Sequence, residues 1–239
     1  MRMACLAVLP AFALAAGPAL ASTERAETFT CPITGKRFQA IVQTSGTRFD
    51  VFLDMRPYGP IMSPDPVPVC PDASRFPVFR TLTTDEVARV KRIVATPEYE
   101  RLIAANDQTY FIIANVKAEL GNGPLEVAQD LMQASWQAEP GSAQQRLYLR
   151  EARTAFTRIA TKPQQTEAVA LNARYFEAEL SRQLGEFEVA LEVLDRWFPA
   201  DGASQGVVGH AFLAQERAAI LRRDAVPVLA LAPDQPPAR

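Results

Sequence analysis

The sequence has very little histidine: His210 is the one histidine in 239 residues. A serine or cysteine nucleophile normally needs a base beside it, and histidine is the usual base. No serine is spaced from His210 in a way that suggests such a pair, and no phosphate-binding glycine loop, dinucleotide fingerprint or HExxH motif occurs. The sequence therefore predicts no catalytic residue and no cofactor, and it favours a protein without enzymatic activity while leaving a hydrolase as the alternative.

The chain also lacks an excess of basic charge and a long hydrophobic run. It contains 25 Lys and Arg residues and 27 Asp and Glu residues, which gives a net charge of −2. Nucleic acids and anionic membrane surfaces select proteins with a basic patch, and a helix that spans a bilayer needs ~20 apolar residues. We therefore expect no nucleic-acid partner and no stable membrane insertion.

The N-terminus has the layout of a secretory signal. Arg2 gives a positive start, residues 3–16 form an apolar run, and Gly17-Pro18 breaks it before the small-x-small sequence Ala19-Leu20-Ala21. The alternative is a membrane anchor, but the run is interrupted by prolines and is shorter than ~20 residues. We expect a signal peptide at 1–21, cleavage after Ala21, and a mature protein that is periplasmic or secreted.

Residues 22–80 are predicted to form a small β-rich head. After a polar leader at 22–27, apolar residues alternate with polar ones in two runs, Phe38 to Val42 and Phe49 to Leu53. The sequence Ser45-Gly46-Thr47 between the runs suits a hairpin turn. Seven prolines in residues 57–77 exclude a helix or a central strand and indicate an irregular loop.

The apolar period changes to that of a helix near Thr83. Thr83 and Glu86 have the spacing of a capping box, and amphipathic helices are predicted at 108–120, 124–138, 142–160, 164–184, 186–198 and 205–223. Short connections between such helices favour antiparallel hairpins. We therefore predict a mainly α chain with a helical domain at 81–224, followed by a disordered tail at 225–239 that is rich in Pro and Ala.

One helix pair resembles the tetratricopeptide-repeat pattern. Gly185 lies where the chain would turn, and Phe187 and Ala190 follow on the second helix, where a small residue lets paired helices pack closely. An ordinary helical hairpin is the alternative, because one clear copy is visible and a solenoid normally needs about three.

Two segments together resemble domain-of-unknown-function family 2225, an uncharacterised bacterial family. One is Cys31-Pro32-Ile33-Thr34-Gly35-Lys36-Arg37-Phe38 with its later counterpart Cys70-Pro71-Asp72-Ala73, and the other is residues 179–191. The resemblance implies a zinc-ribbon-like head joined to tetratricopeptide-like helices, and it covers roughly residues 29–222. It implies no activity.

The zinc site that the resemblance implies is incomplete in this sequence. Cys31 and Cys70 match the first cysteine of each knuckle, but Thr34 and Ala73 replace the second. Two thiolates do not close a tetrahedral structural zinc site, and an ordinary helix residue is the better interpretation of His210 than a third ligand. Knuckle positions would hold Cys31 and Cys70 face to face, so the resemblance implies a structural disulfide in the exported protein. Its loop would contribute about 4 kcal/mol.

Two hypotheses about function remain. The first is an exported interaction protein without enzymatic activity, whose helical hairpins bind a peptide or protein partner. Its candidate partner-binding residues are Asp54, Arg56 and Tyr58 in the head loop and Asn172, Arg174, Tyr175 and Arg182 on one helix, with core packing as the alternative for Tyr175. The second is a metal-handling protein or hydrolase that uses the head acids Asp54, Asp65 and Asp72, for which turn formation is the alternative.

Overall fold

A computed structural model describes residues 22–199 and 208–230 of the chain. The expected signal peptide and residues 231–239 lie outside this part. The described chain is mainly helical, with eight helices after a small β-rich head, which confirms the predicted fold class. No helix in the described ranges is both long and apolar enough to cross a bilayer.

The head consists of two small antiparallel sheets. Strand β1 (Thr23–Thr30) pairs with β2 (Arg37–Ser45), and β3 (Asp50–Val51) pairs with β4 (Pro57–Tyr58). The predicted hairpin of residues 38–42 with 49–53 is therefore wrong, as is the leader at 22–27. The β1 strand carries mostly polar, exposed side chains on both faces, so it has no alternation of apolar residues that the sequence could reveal.

The helices agree with the predicted ones to within a few residues. They are α1 (Thr84–Ile93), α2 (Pro97–Ala104), α3 (Thr109–Leu120), α4 (Pro124–Gln137), α5 (Ala143–Thr161), α6 (Glu167–Gln183), α7 (Phe187–Trp197) and α8 (His210–Leu221). The capping box at α1 forms as predicted: Thr83 accepts from the Glu86 amide, and the Glu86 carboxylate accepts from the Thr83 amide.

Helices α3 to α8 pack one against the next, and the short connections from α3 to α7 make these neighbours antiparallel hairpins. The main core lies between them. Phe156 of α5 stacks on Phe176 of α6 with the ring centroids 4.8 Å apart, an arrangement that contributes beyond the buried area. Ala190 of α7 is fully buried in the same cluster, as the predicted packing role of this residue requires.

The described residues after α8 pack against the head. Residues 225–230, here called the C-terminal strap, lie along β3: the Leu53 amide donates to the Val228 carbonyl, and the Ala230 amide donates to the Val51 carbonyl, both at 2.8 Å. The predicted disorder is therefore wrong for these residues. The strap is ordered because β3 offers unpaired backbone groups and Ala230 packs with Val51 and Leu53.

Candidate functional site

The structure contradicts the predicted partner-binding role of Arg182, because this residue has no exposed surface. Its side chain is fully buried between α6 and α8, where it pairs with Glu179 at 2.7 Å and with Glu216 at 3.1 Å. It also donates to the carbonyls of Asp224 and Val226, which lie after α8. Residues that follow Arg182 by 34 to 44 positions cover it, and spacing within α6 could not reveal this.

Arg174 does not face the same side of α6 as Asn172. The two residues are two positions apart and so lie on nearly opposite sides of a helix with 3.6 residues per turn. The Arg174 side chain pairs with Glu177 and lies over the Trp197 ring, 4.8 Å from its centroid. Arg174 therefore joins α6 to α7, and the predicted groove role of this residue is wrong.

Asp54 is buried as well, with 1% of its surface exposed. One carboxylate oxygen accepts from the Arg56 amide at 3.0 Å, and the other accepts from the Gln183 side chain at 3.3 Å. Gln183 also donates to Glu179 at 2.7 Å. Asp54 thus links the head loop to the buried charges of α6, and its predicted contact with a partner is wrong.

This buried cluster holds more carboxyl groups than cations. Glu179 and Glu216 share the guanidinium of Arg182, and Asp54 is linked to Glu179 through the side chain of Gln183. Burial, reinforced by the neighbouring Glu179, raises the pKa of Asp54. Burial, reinforced by Glu216, raises the pKa of Glu179 well above its ordinary value. Asp54 and Glu179 therefore hold a proton more tightly than free carboxyl groups do, and the cluster joins the head loop, α6, α8 and the strap.

A cleft of about 520 Å³ opens between the head loop and alternate helices of the bundle; we call it the head–helix groove. Helix α4 contributes Gln129, Met132, Gln133 and Trp136 to its lining. These positions follow an i, i+3, i+4, i+7 spacing, so they form one continuous face of α4.

Helix α6 lines the groove in the same way. It contributes Asn172, Tyr175 and Phe176, again at i, i+3 and i+4, and Phe212 is added from the first turn of α8. Helices α4 and α6 each pack against α5, so the groove lies between two alternate helices. Tyr175 and Phe176 form part of its buried floor, and Asn172 is half-buried at the surface.

The head loop completes the groove through Met55. This residue has a φ of +66° and is 44% exposed. A left-handed backbone is uncommon for a residue with a side chain and costs of order 1–3 kcal/mol. The turn is held by the Met55 amide, which donates to the Phe52 carbonyl at 2.8 Å, and by the Asp54 carboxylate.

The neighbouring loop residues do not line the groove. Arg56 lies over the Phe52 ring, 4.4 Å from its centroid. Tyr58 is 46% exposed and meets the same ring edge-on at 5.8 Å. The structure therefore brings Asn172 and Tyr175 together with the loop predicted for recognition, but through Met55 rather than through Asp54, Arg56 or Tyr58.

Cys31 and Cys70 form a disulfide with their Cα atoms 5.5 Å apart, as predicted. The Asp72 carboxylate lies 3.3 Å from the Cys31 sulfur and 3.4 Å from the Thr34 hydroxyl. While the sulfurs are bonded to each other, neither is a thiolate ligand, and Thr34 and Ala73 supply none. These residues do not fit the zinc site that the family resemblance implies.

The predicted acid cluster is not assembled either. Among the described residues, the one group of His, Cys, Asp and Glu close enough to share a metal ion is Cys31, Cys70 and Asp72, which excludes Asp54 and Asp65. His210 is the exposed first residue of α8 and is not part of that group.

The groove residues that sequence reasoning missed are mainly on α4. The sequence does contain a signal for Gln129, Gln133 and Trp136. Their spacing of four and three residues places them on one face of α4 that is both polar and aromatic. What the sequence does not show is that α6 presents its own face to the same cleft.

No protein-family model matches this chain, and no curated protein or solved structure shows significant similarity to it.

Proposed function

We propose that this protein is an exported interaction protein without enzymatic activity, and that its head–helix groove binds a peptide segment of a partner protein. The single observation that carries the proposal is the convergence of Met55 from the head with one face of α4 and one face of α6 on the same cleft. A cleft with aromatic walls and a few polar groups is the usual form of a binding site.

The groove suits a peptide because of its mixed lining. Trp136, Phe176 and Phe212 offer apolar surface, and Gln129 and Asn172 carry carboxamides that both donate and accept hydrogen bonds, as a peptide backbone does. Helix pairs that present alternate helices along a cleft resemble the tetratricopeptide arrangement. We extend the proposal to that architecture for α4 to α7, which the left-handed turn at Gly185 and the buried Ala190 support.

Two features support the proposal that the protein is exported. The first 21 residues have the layout of a signal peptide, and the disulfide belongs to proteins of oxidising compartments. A metal-handling or hydrolytic role of the head acids is the second hypothesis from the sequence. It is the weaker one because Asp54 is buried against Gln183 and is not grouped with Asp65 and Asp72.

A second cleft, of about 590 Å³, lies beside α1, α2 and α3. Its rim carries Glu98, Arg101 and Glu119, and Glu98 is already paired with Arg101 at 3.0 Å. We assign the partner to the head–helix groove because it combines the head loop with two helix faces, whereas the described lining of the second cleft includes no residue of the head.

The test is photo-crosslinking in a bacterial host that exports the protein. A benzophenone amino acid replaces Gln129, which is exposed at the head–helix groove, or Glu98 at the second cleft as the matched control. The proposal expects one protein to crosslink from Gln129 and not from Glu98, and the purified pair to re-form the crosslink. Crosslinking from Glu98 alone, or from neither position, contradicts it.

A further inference from the structure

None of the described residues that line the head–helix groove has a charged side chain. Its open polar groups are the carboxamides of Gln129, Gln133 and Asn172, whereas the Tyr175 hydroxyl is already bonded to the Leu53 carbonyl. A charged group of a ligand would lose its hydration here without meeting an opposite charge, and the cost of that is several kcal/mol. The described lining of the groove therefore selects against a charged anchor.

The apolar walls are wide and adaptable. Phe176 is 5% exposed and Met132 is 4% exposed, so both form a fixed floor, whereas Met55 at the rim is 44% exposed. Methionine side chains adapt to different apolar shapes and contact aromatic rings favourably. A volume of about 520 Å³ is enough for one large side chain and the peptide groups on either side of it.

One donor of the groove is left without a partner. The indole nitrogen of Trp136 is shielded from solvent and meets no acceptor in the described part of the protein. A shielded donor without an acceptor costs roughly 1–3 kcal/mol. Because Trp136 lines the groove, a rotation of its ring that turns this N–H toward the cleft would let a ligand carbonyl remove that cost.

From these observations we infer that the groove binds an extended peptide through one large, uncharged apolar side chain, whose neighbouring peptide groups pair with the carboxamides of Gln133 and Asn172. The inference rests on the proposed function and adds the chemistry of the partner. An isolated small molecule is the alternative occupant of an apolar pocket. The peptide is favoured because the cleft is open to solvent, whereas small-molecule sites bury most of their ligand.

The test is selection from a phage-displayed library of random dodecapeptides on the folded, disulfide-bonded protein, followed by titration of the selected peptide. Gln133→Glu places a carboxylate in the groove. Gln39→Glu is the matched control, because Gln39 is exposed on β2 and outside the groove. We expect wild type and Gln39→Glu to enrich the same large uncharged residue at one position. Gln133→Glu should bind the wild-type peptide about ten-fold more weakly or worse and should enrich Lys or Arg near that position.

Several outcomes overturn the inference. These are enrichment of a charged anchor by the wild type, an unchanged affinity in Gln133→Glu, and a failure to enrich any peptide. A fourth is binding of N-acetyl-phenylalaninamide as tightly as the whole peptide, which would assign the groove to a small molecule. Each leaves the proposed function standing if Gln129 still crosslinks a partner protein, so the two failures are distinguishable.

Discussion

The hydroxyl of Tyr175 donates a 2.8 Å hydrogen bond to the backbone carbonyl of Leu53, a residue 122 positions earlier in the chain. This bond fixes α6 to the turn that carries Met55. Tyr175 is 2% exposed, so it supports the groove from below, in agreement with the core alternative rather than with direct capture of a partner. Head and helices therefore form one structural unit, which explains how both can contribute to one cleft.

Arg182 is expected to be essential for stability. Arg182→Ala leaves Glu179 and Glu216 buried without a cation and two carbonyls near the strap without their donor, a loss of roughly 3–5 kcal/mol. The matched control is Arg101→Ala, because Arg101 also pairs with a glutamate three residues earlier but is 74% exposed. That change should cost about 0.5 kcal/mol or less. Urea unfolding measures both, and equal effects would contradict the buried cluster.

Asp54 gives the stability a specific dependence on pH. Burial raises its pKa above the ordinary 3.8, so the folded state holds the proton more tightly than the unfolded state. Stability must then fall as pH rises above about 3.8, until the folded-state pKa is passed. Asp54→Asn removes this loss. Unfolding midpoints measured from about pH 4 upward should favour the variant increasingly until the folded-state pKa of Asp54 is passed, and a difference that does not change with pH would refute this.

Gly185 is required at the turn between α6 and α7 because of its backbone conformation. Lack of room for a larger side chain is not the reason. Its φ is +80°, and a side-chain carbon placed there would meet nothing within 4 Å, so the close helix approach suggested by the repeat pattern does not occur at this residue. Gly185→Leu should cost about 1–2 kcal/mol from the left-handed backbone. Gly209→Ala, at an equally open helix N-cap with φ −55°, has no left-handed penalty and should cost clearly less than Gly185→Leu. Thermal unfolding compares them.

The disulfide should account for much of the stability of the head. Replacing Cys31 and Cys70 by serine removes a cross-link over a sequence separation of 39 residues, which in the loop-entropy model costs about 4 kcal/mol. Protein purified from a bacterial host that exports it, then denatured without reductant, should show no free thiol. Two titratable thiols, or a double variant as stable as the wild type, would speak against a structural bond.

The helical domain could be predicted from sequence because its signals are local. Thr83 and Glu86 cap α1 within three residues of each other, and the breaks at Gly121 and Gly185 are both left-handed helix ends. These features depend on neighbouring residues alone, so the helix bounds follow from the pattern.

The errors come from contacts between distant parts of the chain. From the sequence alone, Arg182 is interpreted as a surface residue, but α8 and the strap cover it in the structure. Asp54 is interpreted as a turn residue, but its carboxylate accepts a hydrogen bond from Gln183, 129 positions later. The strap itself, from Ala225 to Ala230, is ordered by β3, about 175 residues earlier in the chain. The position of Met55 in the groove results from the same packing between distant parts of the chain.

The most direct test of the head–helix groove is a titration of the crosslinked partner against the purified protein and one groove variant. Asn172→Arg adds bulk and charge at a half-buried position of the groove, and Glu192→Arg places the same side chain on the exposed surface of α7. The account predicts that Asn172→Arg weakens binding by about ten-fold or more while its melting temperature stays within a few degrees of wild type, and that Glu192→Arg changes neither. Unchanged affinity in Asn172→Arg would contradict the account.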